Sequence, residues 1–179
     1  LTQRLSPHIN ENQDVLDLGP GEGWALDYFK QKKCNYYAIE SVDRLKNILI
    51  NKGCHVIGNS IYDDLSKYNN QFDIIIFRHV IEHLQNPKQA LMQLKELLAP
   101  NGLIYLALPN ASKPNAYKGF RTSYVRPIHV SYFCEGNINR LTNIARLEPI
   151  YSEAKGEIFQ LLSKNVQNNN IQNKNIVVK

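Results

Sequence analysis

The stretch at residues 14–23, DVLDLGPGEG, runs an apolar strand straight into three closely spaced glycines. Val15, Leu16 and Leu18 form the short apolar run that a parallel sheet buries. Gly19, Gly21 and Gly23 tolerate positive φ and carry no side chain that would hold a ligand off the backbone. A helix starting at Trp24 would aim its free N–H groups back at the loop, so a phosphate, ribose or small charged ligand belongs there. The spacing is Gly-x-Gly-x-Gly, one residue shorter than the dinucleotide fingerprint, with an acid ahead of it at Asp17. A glycine-rich turn without a ligand would read the same, so the loop is informative only in company.

That company follows along the chain. Residues 36–39 read as a second strand that ends on Glu40, 23 residues after Asp17. A carboxylate at that tip can accept both hydroxyl protons of a ribose. Val42, Leu45, Ile48 and Leu49 recur at helical spacing, and the helix stops at residues 51–53. Residues 55–57 form a third strand, followed by GNSIYDDL. Asn59, Ser60 and Ile61 are therefore candidates for holding a base, although a solvated loop would carry the same residues. FDIIIF at residues 72–77 is a strand covered on both faces, and it delivers RHVIEHL to the same edge. Asn86 caps a helix with Pro87 in its first turn and Ala90, Leu91, Leu94, Leu97 and Leu98 as its apolar stripe. Pro100, Asn101 and Gly102 are expected to end that helix, and residues 103–108 to form a fifth strand closing on Pro109 and Asn110.

Residues 1–10 read as the end of a helix broken at Pro7. Residues 111–128 lack periodicity and mix Tyr117, Phe120, Arg121, Tyr124 and Arg126, as a lid or substrate wall would. Residues 133–146 read as a helix, and residues 149–163 as a hairpin around Gly156. Strands alternating with helices imply an α/β chain with a parallel sheet, whose ligands bind at the carboxyl ends of the strands. The glycine loop, Glu40, residues 59–61, Arg78, His79 and Asn110 all stand at such ends.

A chain of 179 residues suits one domain. Residues 1–164 are expected to form it, with the asparagine-rich residues 165–179 as a poorly ordered tail. No apolar run reaches the roughly 18 residues of a membrane span, and no signal peptide is read. Because the chain opens on Leu1, a preceding piece is expected. Cys34, Cys54 and Cys134 are odd in number and widely spread, which argues against a disulfide framework or zinc ribbon and for a reducing cytoplasm. The net charge of +5 is scattered. It suits a small anionic substrate better than nucleic acid, which would want a basic cluster on one face.

Taken together, VLDLGPGEG, the acid in YYAIE, FDIIIFRHVIEHL and LLAPNGLIYLALPN resemble class I S-adenosylmethionine-dependent methyltransferases. The resemblance lies within their small single-domain group that includes ubiquinone-biosynthesis-like enzymes, and covers residues 10–165. It implies a Rossmann-like doubly wound sheet of seven strands in the order 3-2-1-4-5-7-6, with the last pair antiparallel. It also implies S-adenosylmethionine as cofactor and S-adenosylhomocysteine as product. Asp17, Gly19, Gly21 and Gly23 would line the methionine part, Glu40 would take the ribose, and Asn59, Ser60 and Ile61 would flank the adenine. Pro20 and Ser41 are counted with the cofactor-binding residues, as are Arg78 and His79 after the fourth strand. Two departures stand out. Relatives commonly have aspartate where Asn59 stands, and a small or polar residue where Arg78 stands, which points to an anionic acceptor.

Methyl transfer from a sulfonium is mostly positioning: orientation supplies effective molarities of about 10⁵ to 10⁸ M, and a general base adds roughly 10² to 10⁴. His79, His83 and His129 are the candidate catalytic bases, because imidazole titrates near neutrality. A buried histidine holding the loop is the other reading of His83, and a lid anchor that of His129. Tyr117, Tyr124 and Tyr132 could line the acceptor pocket. HVIEH also matches a zinc-peptidase pattern, but Pro87 limits the helix and a glycine loop has no purpose there. No metal is assigned, with metal assistance through Glu82 and His83 the minor alternative. The expected activity is O-methylation of a small polar acceptor, sugar-like or phosphorylated, by a cytoplasmic monomer or homodimer. The alternatives are a non-catalytic binding domain and a lipid-quinone or RNA acceptor. The short glycine spacing disfavours a nicotinamide oxidoreductase.

Overall fold

The computed structural model describes residues 2–113 and 128–164. Seven strands form one sheet: β1 Asp14–Leu18, β2 Asn35–Ile39, β3 His55–Gly58, β4 Phe72–Arg78, β5 Leu98–Pro109, β6 Glu148–Ala154 and β7 Glu157–Ser163. Their order is β3-β2-β1-β4-β5-β7-β6. The five strands β1–β5 pair in parallel, while β7 runs antiparallel to both β5 and β6. Order and direction match the expectation.

The helices are α1 Thr2–Leu5, α2 Leu26–Gln31, α3 Asp43–Asn51, α4 Pro87–Leu97 and α5 Glu135–Ile144. One apolar cluster joins Leu26 and Phe29 of α2 to Val15, Ile74 and Ile76 of the sheet. A second joins Leu91 and Leu94 of α4 to Leu16, Ile75 and Phe77. Neighbouring side chains of β1 and β4 thus enter different clusters, as the alternation of a strand covered on both faces requires. The N-terminus of α4 follows the sequence: Asn86 Oδ1 accepts from the Gln89 N–H at 3.1 Å, and Pro87 sits in the first turn.

Two boundaries differ from expectation. Helix α2 begins at Leu26, because Gly21 and Gly23 both take left-handed φ and the Leu26 N–H already bonds Gly23 O at 3.1 Å. Its free N–H groups therefore lie further from the glycines than a helix from Trp24 would put them. Strand β5 begins at Leu98, before the turn residues Pro100 and Gly102, and crosses them with a register irregularity against β4. A Cβ on Gly102 would sit 2.7 Å from Phe72 O, so only glycine lets the two backbones approach there.

Candidate active site

Register brings the first two strand tips together. Leu18 pairs with Ile39, and the Gly19 N–H donates to Ile39 O at 2.9 Å, so the glycine turn is stitched to the strand that carries Glu40. Gly19, Gly21 and Gly23 have φ of 63°, 61° and 78°. Pro20 is buried, and its carbonyl accepts from the Gly23 N–H, which closes the turn. Glu40 is 5% exposed. Its own N–H bonds Gly58 O, and its Oε1 accepts from the Val42 N–H at 3.0 Å. Oε2 makes no hydrogen bond among the described residues, and Ser41 beside it is exposed.

Asp17 is buried and accepts a short hydrogen bond from the Tyr36 hydroxyl. Burial pushes its carboxyl up to about 7, against the opposing pull of Tyr36 and of Arg78's charge. Tyr36, which sequence reasoning passed over, is therefore the partner that anchors the acid under the loop. After β3, the Asn59 and Ser60 N–H groups both donate to Asp63 Oδ2, at 2.7 and 3.0 Å. Asp63 went unnoticed as the organiser of this turn, although an acid four residues past an asparagine is a turn signal. Ile61 points into the core at 3% exposure, leaving mainly its backbone to meet a base. A groove of 760 Å³ lined by Tyr62, Ser66, Asn86, Gln89 and Met92 lies outside α4 and contains none of the assigned cofactor residues.

The tip of β4 carries a charge network. Arg78 lies 3.7 Å from Glu157, with its guanidinium 5.5 Å from the centre of the Trp24 ring. His79 has φ 53° and donates its N–H to Ala107 O at 2.8 Å. Its Nε2 is 2.8 Å from Glu157 Oε1 and its Nδ1 3.5 Å from Glu82 Oε1. Those two carboxylates, Glu157 above all, raise the imidazole to about 9 despite partial burial. Both ring nitrogens thus face carboxylates, which favours the protonated ring. Glu157 escaped sequence reasoning because it lies 78 positions away from His79. The available signal was the hairpin, whose register sets Glu157 opposite Pro109 at the same edge.

His83 and His129 do come together. Their rings are 4.9 Å apart, and Tyr132 stands 5.9 Å beyond His129. His83 Nδ1 lies 2.9 Å from Ile128 O, and a carbonyl only accepts, so Nδ1 carries the proton of this contact. The Val130 and Ser131 N–H groups donate to Glu82 O, fastening this segment to the turn after β4. Asn110 is structural: it bonds the backbone of Lys155 and Gly156 in the hairpin. Tyr117, Phe120, Tyr124, Arg121 and Arg126 lie outside the described residues.

A parallel sheet with a glycine turn, a buried acid at the next tip and polar groups along one carboxyl edge defines a nucleotide-cofactor fold. Residues 1–149 match a family described as methyltransferase domain, and the chain belongs to that family. It carries a methyltransferase domain of the S-adenosylmethionine-dependent class. It is 32% identical over 113 residues to a tRNA U34 carboxymethyltransferase of Nautilia profundicola, a match covering 57% of this chain and 36% of that one. It is 23% identical over 123 residues to a ubiquinone biosynthesis O-methyltransferase of Rickettsia canadensis, covering 63% and 50%. The chain thus spans about a third to a half of the length of these relatives. In fold it is similar to the 1,6-didemethyltoxoflavin-N1-methyltransferase of Burkholderia thailandensis, solved with bound S-adenosylhomocysteine. That likeness has TM-score 0.67 and 16% identity, and covers 90% and 74% of the two chains.

Proposed function

We propose that this chain transfers the methyl group of S-adenosylmethionine to an oxygen of a small polar, anionic acceptor. The observation that carries the cofactor half is Glu40: a buried carboxylate with one oxygen fixed by Val42 and the other uncommitted, beside a glycine turn stitched to its own strand. The turn fits a ligand, since a Cβ on Gly21 would meet nothing within 4 Å. When bound, the cofactor supplies a methyl carbon on a sulfonium. In this reading Glu40 binds the ribose hydroxyls, the loop at residues 59–61 flanks the adenine, and the glycines admit the methionine part. Arg78 and the His79 imidazolium add positive charge at the rim, although Glu157 and Glu82 offset part of it. A base for a hydroxyl acceptor would be His83 or His129.

A ribonucleoside acceptor is the second reading, favoured by the tRNA relative named above. No described helix is long and apolar enough to cross a membrane. The free cysteines support placement in a reducing cytoplasm. The working unit in this reading is residues 1–164, acting as monomer or homodimer, and residues 165–179 lie outside the described residues.

Calorimetry with S-adenosylhomocysteine tests the proposal. Wild type should bind, and Glu40→Ala should weaken binding by about 1 to 3 kcal/mol, the cost of unmade charged hydrogen bonds. Absence of wild-type binding at millimolar ligand would sink it, and tighter binding of NAD would point to hydride chemistry.

A further inference from the structure

We infer that Tyr36 is a positioning residue of the cofactor site: its hydroxyl holds Asp17, which releases a proton to solvent as it receives the cationic methionine part of the cofactor. The inference rests on the cofactor proposed above and adds to it a proton that binding displaces.

Two buried acids set the problem. Asp17 and Glu40 are 2% and 5% exposed at the carboxyl ends of the adjacent strands β1 and β2, and each feels the other's charge. Arg78, whose charge also reaches Asp17, pairs with Glu157 instead. Two buried carboxylates without a paired cation cannot both stay charged cheaply, so a proton is held between folding and binding. Glu40 is braced by the Val42 N–H. Asp17 has only the Tyr36 hydroxyl, on Oδ2, and its Oδ1 makes no hydrogen bond among the described residues. Asp17 is therefore the acid that keeps the proton.

The groups that face Asp17 are Tyr36 and Glu40 from the β2 side, Arg78 at the tip of β4, and Cys54 ahead of β3. Burial raises the Asp17 carboxyl most, the Tyr36 hydrogen bond and the Arg78 charge lower it, and the Glu40 charge raises it, leaving it at about 7. Cys54 stays a neutral thiol, pushed up to about 12 by burial. Burial and the Asp17 charge push the Tyr36 phenol far above its ordinary value, so it donates throughout. Its ring is buried against Phe29 of α2, 5.8 Å between centres, which fixes the hydroxyl on Asp17.

Near neutrality Asp17 is thus divided between acid and carboxylate. A cation beside it favours the carboxylate; the proton goes to solvent, and no other bond changes. The Tyr36 hydroxyl, donating to the charged form, makes that release easier. Below about pH 7 the proton must be displaced for binding, and above it the carboxylate is already present.

The test uses the full chain and adenosylhomocysteine, which carries the ammonium of the methionine part. Calorimetry in buffers of different ionisation enthalpy counts the protons released. Wild type should release about half a proton at pH 7 and about 0.9 at pH 6, with affinity rising about tenfold from pH 6 to pH 8. Asp17→Asn should bind with no proton released and no such slope. Tyr36→Phe keeps the ring and raises the Asp17 carboxyl, so affinity should fall roughly fivefold at pH 7 and nearly recover at pH 8.5, whereas lost packing would cost the same at both. Circular dichroism confirms that the variants are folded. Carbon-13 NMR of the Asp17 carboxyl without ligand keeps the test decisive if Asp17→Asn misfolds: the midpoint should be about 7 in wild type and about 8 in Tyr36→Phe. A wild-type midpoint below about 5, or binding with less than about 0.1 proton released at pH 6, would overturn the inference. An equal loss at both pH values in Tyr36→Phe would overturn the part given to Tyr36. Failure of wild type to bind at all would sink the cofactor reading as well, whereas binding without proton release sinks this inference alone.

Discussion

At the tips of β1 and β2 the site is made by backbone and near neighbours: Gly19 bonds Ile39, Pro20 bonds Gly23, and Glu40 is held by Val42 two residues on. At the tip of β4 it is made by side chains that meet from afar, Arg78 and His79 with Glu157, and His83 with His129. The first region depends on conformations that few residues adopt, and the second on charges that few conditions leave unchanged. Backbone strain should therefore govern sensitivity in one, and pH and electrostatic pairing in the other.

The sharpest way to break this contrast is inside the glycine turn. A Cβ on Gly23 would sit 2.9 Å from Leu49 Cδ2 at φ 78°, whereas one on Gly21 meets open space at φ 61°. Gly23→Ala should lose about 2 to 4 kcal/mol in urea unfolding, combining a left-handed backbone penalty with overpacking. Gly21→Ala should lose only the conformational part, about 1 to 2 kcal/mol. Equal losses would mean that packing does not distinguish the two glycines.

The same contrast explains what could be read without coordinates. The strands, the glycine turn and the place of Glu40 at a strand tip were legible because glycine spacing, apolar runs and a strand-tip acid are local patterns along the chain, whereas the strand order came from the family resemblance. The start of α2 was misplaced because two left-handed glycines delay a helix that propensity alone would begin at Trp24. The start of β5 was misplaced because Gly102 allows a close approach to Phe72 that only the folded pair reveals. His79 was read as a base from its type. Its state follows from Glu157, which meets it only through the β5–β7 register.

A medium effect is expected from pH at His79. The native imidazole titrates at about 9, raised by Glu157 and then Glu82, against an unfolded value near 6.5. A raised pKa means that the native state binds the extra proton, so the contribution is complete below 6.5 and is lost as pH rises through about 9. Burial would raise Glu157, yet His79, with Arg78 and Arg4, holds it below the usual carboxylate range. The difference in thermal midpoint between wild type and His79→Gln should be largest below pH 6.5 and shrink steadily toward pH 10. A difference that is flat with pH would show that the ion pair does not form.

The smallest effect belongs to a contact that spans the two regions. Trp24, in the turn and 55% exposed, lies under Arg78 of β4 with 5.5 Å between guanidinium carbon and ring centre. At an exposed position such a cation–π contact contributes about 0.5 to 1 kcal/mol. Trp24→Leu and Arg78→Met should each cost little in urea unfolding, and a double-mutant cycle isolates their interaction from the loss of bulk and charge. A coupling of about 0.5 kcal/mol would show that the glycine turn and the charged tip communicate through this pair. A coupling near zero would mean that this pair does not link the backbone-built and charge-built regions.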